Sequence, residues 1–257
     1  MRYTQGEYRI LNKTAIAKQI YDYTVLCPDI ARIAQPGQFV HLLPKGFPLR
    51  RPISICDIDA EKGTLRFVFE VRGEGTAELA RLNAGDMIDM LAPVGGRGFK
   101  INENAKRVIL VGGGIGTPPM LPLAKIYGER AVAISGFRCS SMVILQDDFK
   151  EMGAKTILCT NDGSMGIKGF VTIPLIEEIE AEKPDIIFAC GPRPMLKAVA
   201  EIAMENDIEC QVSLEERMGC GVGACLVCSC KAIRNGQEIH AHVCQDGPVF
   251  NAKEVIW

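Results

Sequence analysis

Charge of one sign, histidine and tryptophan are all scarce in this chain, and each scarcity excludes a class of function. Across 257 residues, 29 Lys and Arg stand against 31 Asp and Glu, a net charge of −2. They are interspersed, with no basic stripe for nucleic acid and no acidic tail. The longest uncharged stretch, Val108 to Ala124, is broken by Gly112, Gly113, Gly114, Gly116, Pro118, Pro119 and Pro122, so it predicts no simple membrane span. Met1-Arg-Tyr-Thr begins no signal peptide. The three histidines, His41, His240 and His242, form no recognisable triad or metal pair. No internal repeat or low-complexity tract is visible. Cysteine, in contrast, is plentiful. Of eleven, Cys27, Cys56, Cys139, Cys159, Cys190 and Cys210 are scattered through apolar contexts, which argues for a reducing compartment, the cytoplasm.

The other five crowd into residues 220–244, where an even spread would place about one. Cys220, Cys225, Cys228 and Cys244 form a C-x4-C-x2-C…C array, the spacing by which plant-type ferredoxins hold an iron–sulfur cluster. Thiolates suit such centres, and three ligands this close wrap one cluster only if the loop is tight. Gly219, Gly221 and Gly223 permit that tightness and let backbone N–H groups aim at sulfur. Two other readings stay open. A disulfide framework belongs to small secreted domains. Structural zinc would pair two C-x2-C elements or add histidines, and His240 and His242 are nearby. The surplus Cys230 reads as packing beside the cluster or as a substitute ligand.

Residues 1–100 alternate apolar and polar over short strands: Tyr8–Ala15, Ile20–Cys27, Gln38–Leu43, Pro52–Asp57, Thr64–Val71 and Asp86–Leu91. With one helical stretch, Thr76–Leu82, they predict a small antiparallel β-barrel. The pattern changes after the glycine-rich passage Pro93 to Gly98. Over 101–213, continuous apolar runs (Val108–Val111, Ala131–Ser135, Thr156–Thr160, Ile186–Cys190, Gln211–Leu214) alternate with helical patterns (Pro118–Tyr127, Asp147–Met152, Thr172–Glu180, Arg193–Glu205). That predicts a doubly wound parallel α/β domain with its ligand at the carboxyl ends of the strands. Residues 214–257 are expected as a small C-terminal module around the cysteines.

Gly112, Gly113, Gly114 and Gly116 follow a buried strand, a context in which backbone amides cradle a diphosphate. The full dinucleotide fingerprint is not there: Thr117 holds the third glycine position, and the second strand ends in Ser135-Gly136-Phe137-Arg138 rather than an acidic residue. A packing turn without ligand remains an alternative. In the barrel, Arg51-Pro52-Ile53-Ser54 and Gly73-Glu74-Gly75-Thr76 suit a flavin nucleotide. Arginine forks a phosphate, a serine hydroxyl reaches a ring nitrogen, and Gly75-Thr76 offers amides at a helix start. Taken singly, the first string reads as a solvated surface arginine and the second as an ordinary N-cap.

In order, the R-x-x-S string, the G-x-G-T helix start, the glycine turn and Cys190-Gly191-Pro192 resemble the ferredoxin reductase superfamily, over the whole chain. Leu214 to Cys225 and Val243 to Phe250 are more particular, and are similar to the electron-transfer subunits of the dihydroorotate dehydrogenase B family. The resemblance implies FAD in the barrel, NAD at the α/β domain and a 2Fe-2S cluster. It also implies a separate FMN-containing catalytic subunit, assembled as a heterotetramer with two of each. By analogy Arg51, Pro52, Ile53 and Ser54 bind the FAD diphosphate and isoalloxazine, with Ser54 on the ring. Val68, Phe69 and Glu70 line the flavin, and Gly75 and Thr76 take the diphosphate. Cys190 borders the nicotinamide or is a buried structural cysteine. Arg138 leaves NADP open. Glu215 and Glu216 read as a solvated pair or a proton relay, and Trp257 as packing or a subunit contact.

The implied activity passes electrons from dihydroorotate on the partner's FMN through the cluster to FAD, and as hydride to NAD+. The rivals are a related subunit serving a hydrogenase, sulfide reductase or ferredoxin, and a zinc-stabilised interaction module. Val222 and Leu226 are expected on the docking face of the cluster loop.

Overall fold

A computed structural model describes residues 3–257; Met1 and Arg2, the start of the segment read as no signal peptide, lie outside it. By its contacts the chain divides into two compact units. The first comprises residues up to 98 with 216–230 and 241–248, and the second 99–215 with 231–240 and 249–257. Residues 214–257, expected as one module, thus distribute between both.

The first unit is built on β1 (Thr4–Ala17), β2 (Ile20–Leu26), the one-turn helix α1 (Pro28–Ala31), β3 (Phe39–Leu43), β4 (Arg51–Asp59), β5 (Thr64–Glu70), α2 (Glu74–Leu79) and β6 (Met87–Val94). The strands close an antiparallel barrel in the order β1-β2-β5-β4-β3-β6. Alternation fills it: Tyr23 and Val25 from β2, Val40 and Leu42 from β3, and Phe67 and Phe69 from β5 share one core. Each such apolar side chain contributes about 1.5–3 kcal/mol. Tyr23 stacks edge-on against Phe69 with centroids 5.2 Å apart. Its hydroxyl donates to the carbonyls of Leu79 (2.7 Å) and Leu82 (2.9 Å), tying the end of α2 to the barrel. The unforeseen α1 begins at Pro28, a residue preset for a helix start.

The second unit carries β7 (Val108–Gly113), α3 (Leu121–Tyr127), β8 (Ala131–Phe137), α4 (Gln146–Glu151), β9 (Lys155–Thr160), β10 (Ile167–Lys168), α5 (Thr172–Ala181), β11 (Ile186–Cys190), α6 (Arg193–Glu205) and β12 (Glu209–Ser213). Then come the hairpin strands β13 (Ser229–Arg234) and β14 (Gln237–His242), which cross the division between the units, and β15 (Val249–Asn251). The sheet order is β10-β9-β8-β7-β11-β12-β15, parallel except for the antiparallel edge strand β15. β7 and β11 read as unbroken apolar runs because both of their faces are covered. On α6 the buried residues Leu196, Val199, Ala200 and Ala203 fall on one stripe of helical spacing. The order reverses between β7 and β11. Right-handed crossovers then put α3 and α4 on one face and α5 and α6 on the other, which makes the end of β7 the switch point.

Candidate functional site

Four sulfurs converge in the cysteine loop of the first unit. The Cys220 sulfur accepts from the N–H groups of Val222 (3.4 Å) and Cys225 (3.3 Å), and the Cys225 sulfur from the Cys220 N–H (3.4 Å). The Cys244 sulfur accepts from the Gly223 N–H (3.2 Å) and lies 3.2 Å from the Cys228 sulfur. The sulfurs therefore fall into two pairs, Cys220 with Cys225 and Cys228 with Cys244. Gly221 (φ +76°) and Gly223 (φ +80°) adopt left-handed backbone that turns these amides inward. Among the described residues no group of three or more His, Cys, Asp or Glu is arranged for a single metal ion. Two thiolate pairs with sulfur-directed amides instead fit a two-iron cluster, in which each iron takes its own pair. Burial raises the Cys220 thiol, but the hydrogen bonds from Cys225, Val222 and Ala224 outweigh it and hold the thiol down at about 7. Burial and the neighbouring Cys228 push Cys244 up to about 12. Cys230 is buried on β13.

His41, passed over in the sequence as lone, stands beneath this loop. Its ring is fully buried, and among the described residues neither Nδ1 nor Nε2 makes a hydrogen bond of good geometry, although the backbone of Arg50 and Cys220 lies close enough to act on it. A Cβ added to Gly221 would lie 2.6 Å from Nδ1. Burial first, and then the Arg50 charge, hold its pKa at about 4, against the backbone of Arg50 and Cys220 that faces it. A histidine inside the apolar run Phe39–Leu43 was the available signal.

The two flavin-type strings meet. Arg51 opens β4 and Gly75 lies in the first turn of α2, and a Cβ at Gly75 would sit 2.5 Å from the Arg51 Nη2. The guanidinium also donates to the Leu49 carbonyl at 2.6 Å and lies 5.6 Å from the Phe47 ring centroid. The Thr76 hydroxyl accepts from the N–H groups of Arg72 (2.9 Å) and Gly73 (3.2 Å), fixing the helix start. Pro52 is exposed, and Ile53 and Ser54 are half-buried on β4. On β5, Val68 is buried outside the barrel core, whereas the Phe69 ring belongs to that core and leaves only its backbone for a ligand. Glu70 pairs with Arg72 at 2.8 Å.

In the second unit the glycine turn and Cys190-Gly191-Pro192 come together at the carboxyl ends of β7 and β11, where Cys190 aligns with Gly112. Packing accounts for three of the glycines. A Cβ at Gly112 would lie 2.7 Å from the Thr117 Cα, at Gly113 2.5 Å from the Met195 sulfur, and at Gly116 2.5 Å from the Cys190 carbonyl oxygen. Only Gly114, at φ +55°, faces open space. The chain also passes through 3-10 turns at Gly114–Gly116 and Pro118–Met120 before α3, so the turn does not open directly into an α-helix as expected. The Thr117 hydroxyl is buried without a partner. Burial, then the Glu215 charge, push the Cys190 thiol up to about 12.

Arg138 is exposed just beyond β8, Glu215 is exposed and Glu216 half-buried. Trp257 is half-buried, its indole N–H buried without a protein partner. At the tip of the cluster loop Leu226 (72% exposed) is accompanied by Val227 (55%), while Val222, expected there, is half-buried with its N–H on the Cys220 sulfur.

Comparison with known proteins bears on the whole chain. Residues 215–256 match the family model described as the iron-sulfur cluster binding domain of dihydroorotate dehydrogenase B. A protein of Caldanaerobacter subterraneus subsp. tengcongensis, named dihydroorotate dehydrogenase B (NAD(+)), electron transfer subunit, is 40% identical over 97% of both chains. One of the same name from Geobacillus sp. (strain WCH70) is 40% identical over 98% of both. Among solved structures, a chain of the NADH-dependent reduced ferredoxin-NADP oxidoreductase superposes with a TM-score of 0.85 at 33% identity, over 97% of this chain and 90% of that one. The ferredoxin reductase of carbazole 1,9a-dioxygenase, at 16% identity over 81% of this chain and 67% of that one, shares the fold with a TM-score of 0.68.

Proposed function

The chain belongs to the family of dihydroorotate dehydrogenase B (NAD(+)) electron transfer subunits, and from that premise we propose how its residues join dihydroorotate oxidation on a partner subunit to NAD+ reduction. The observation that carries the reading is the pairing of four cysteine sulfurs under amides already turned toward them. When bound, a 2Fe-2S cluster exchanges single electrons, nicotinamide accepts a hydride, and FAD converts between the two. Cys220, Cys225, Cys228 and Cys244 would hold the cluster through their thiolates. The N–H groups of Val222, Gly223 and Cys225 neutralise charge on the sulfurs.

Arg51 supplies the fixed charge for the FAD diphosphate, and Gly75 and Thr76 shape the helix start beside it. The Ser54 hydroxyl meets the flavin ring, with Pro52 and Ile53 on the same strand. Val68 contributes a side chain, and Phe69 and Glu70 contribute backbone. Gly114 leaves room for the NAD diphosphate, while Gly112, Gly113 and Gly116 hold the turn against β11 and α6. Cys190 stays a neutral thiol at neutral pH and borders the nicotinamide without acting as a nucleophile. The partner carries FMN and the dihydroorotate site, in an assembly of two subunits of each kind. No cysteine is in a disulfide, which suits a cytoplasmic setting. Among the described residues no helix is long and apolar enough to cross a membrane.

Co-expression with the candidate dehydrogenase subunit tests this reading. A complex containing FAD, iron and labile sulfide should reduce NAD+ when given dihydroorotate; a loaded complex that does not would sink it. A second reading, in which the same relay serves a ferredoxin-linked partner, is favoured by the likeness to the ferredoxin-NADP oxidoreductase chain. NADH-dependent reduction of ferredoxin by the isolated chain would select it.

A further inference from the structure

Strand alternation sends Val40 and Leu42 of β3 into the barrel core, so His41 between them points outward. An outward residue on a barrel strand is normally wet, yet His41 is fully buried. The Cys220–Gly221 turn covers it, and the approach is close enough that any side chain at Gly221 would strike Nδ1 at 2.6 Å. On its other side His41 aligns with Pro52 across the β3–β4 ladder, one position from Arg51. Its backbone cannot swing, because Arg50 donates to the His41 carbonyl at 3.1 Å and to the Asp89 carboxylate at 2.8 Å. A buried imidazole whose ring nitrogens lack a hydrogen bond of good geometry is costly. An apolar side chain of the same shape would avoid that cost, so packing alone does not account for a histidine here.

We propose that His41 is a positioning residue for electron transfer: its buried imidazole stands between the cluster loop and the flavin-side strand β4, and fixes the Cys220–Gly221 turn and the sulfur environment of Cys220. An imidazole presents two ring nitrogens, so the ring can serve the loop backbone on one side and the β4 side on the other. Such outer hydrogen bonds orient the ligands of a metal centre and tune it, and losing one typically costs about 10–100-fold in affinity or activity. The inference rests on the cluster assignment to Cys220, Cys225, Cys228 and Cys244. That assignment fails if the wild-type chain holds no iron and sulfide, whereas the present inference fails with the cluster in place.

The test uses the full chain loaded with FAD and cluster, comparing His41→Leu, His41→Asn and His41→Gln. Rapid mixing with NADH follows flavin and cluster reduction separately, and electron paramagnetic resonance reads the reduced cluster. His41→Leu should leave flavin reduction at the wild-type rate, slow cluster reduction about tenfold and alter the line shape of the cluster signal. His41→Asn, whose amide reaches the place of Nδ1, should restore the line shape and most of the rate. A wild-type signal and rate in His41→Leu would overturn the proposal, and so would equal damage in the Leu and Asn variants, which would mark a space-filling role. Should His41→Leu fail to accumulate, Asn against Gln decides. A wild-type signal in Asn but not in Gln supports the Nδ1 contact, and any other result between the two overturns it.

Discussion

At the scale of single residues, the proposed FAD site turns on the contact between Arg51 and Gly75. Each belongs to a string that is unspecific alone, and the structure brings them together, an added Cβ on Gly75 lying 2.5 Å from the Arg51 guanidinium. Gly75→Ala should push the guanidinium from its seat. A hydrogen bond to a charged group is worth about 1.5–3 kcal/mol, so FAD affinity should fall by about tenfold or more. Gly73→Ala, two residues away in extended backbone with nothing within 4 Å of the new methyl, should bind FAD as the wild type does, with at most a small cost from the weaker N-cap. Fluorescence titration of the two apoproteins with FAD checks both, and equal loss in the two variants would remove Arg51 from the flavin site. The glycine-rich turn of the second unit shows the limit of the same reasoning. Sequence shows four glycines in a phosphate-type turn, but not that Gly112, Gly113 and Gly116 answer to Thr117, Met195 and Cys190 while Gly114 alone stands free.

At the scale of elements, the cluster loop exposes two adjacent apolar side chains, Leu226 and Val227, on a segment otherwise occupied with its own sulfurs. Leu226→Glu with Val227→Glu places charge where a partner surface would desolvate it. Complex formation should weaken by at least about tenfold while NADH oxidation with an artificial acceptor is kept. Analytical ultracentrifugation with the partner, beside the acceptor assay, reads the two effects apart, and joint loss of both would point to a damaged cluster instead. Val222, which the sequence had also suggested for this face, is half-buried, with its N–H on the Cys220 sulfur. Elements were legible where periodicity is strong. β11 and α6 stand over the residues expected because a five-residue apolar run and a four-residue buried stripe each admit one interpretation. β10 and β15, two and three residues long, carry too few positions for any period to register. The hairpin β13–β14 alternates faces with Lys231 and Glu238 paired across it at 2.7 Å, but strands whose buried positions are Cys230, Ala232 and Ala241, with Ile233 among the exposed ones, give a weak hydrophobic signal.

At the scale of the whole molecule, the C-terminal segment is one unit of sequence and not one unit of structure. The family model covers it as a domain, residues 215–256, yet its contacts divide. Residues 216–230 and 241–248 belong with the barrel: the Arg97 N–H donates to the Gly247 carbonyl at 2.8 Å, Pro248 lies where a Cβ on Gly95 would be, and Gly221 covers His41. Residues 249–257 belong with the sheet, where β15 pairs with β12 and Phe250 is buried. Taken alone, the segment would present an unpaired β15 edge, an uncovered Phe250 and a cysteine loop without the imidazole beneath it. A fragment this short buries too little apolar surface to offset the entropy of ordering its chain. Residues 214–257 expressed separately should therefore stay unfolded by circular dichroism and fail to take up iron and sulfide under reconstitution conditions that load the full chain. A fragment that folds and reproduces the cluster spectrum of the intact protein would show that the loop is self-sufficient, and that its contacts with the barrel residues hold it in position without building it.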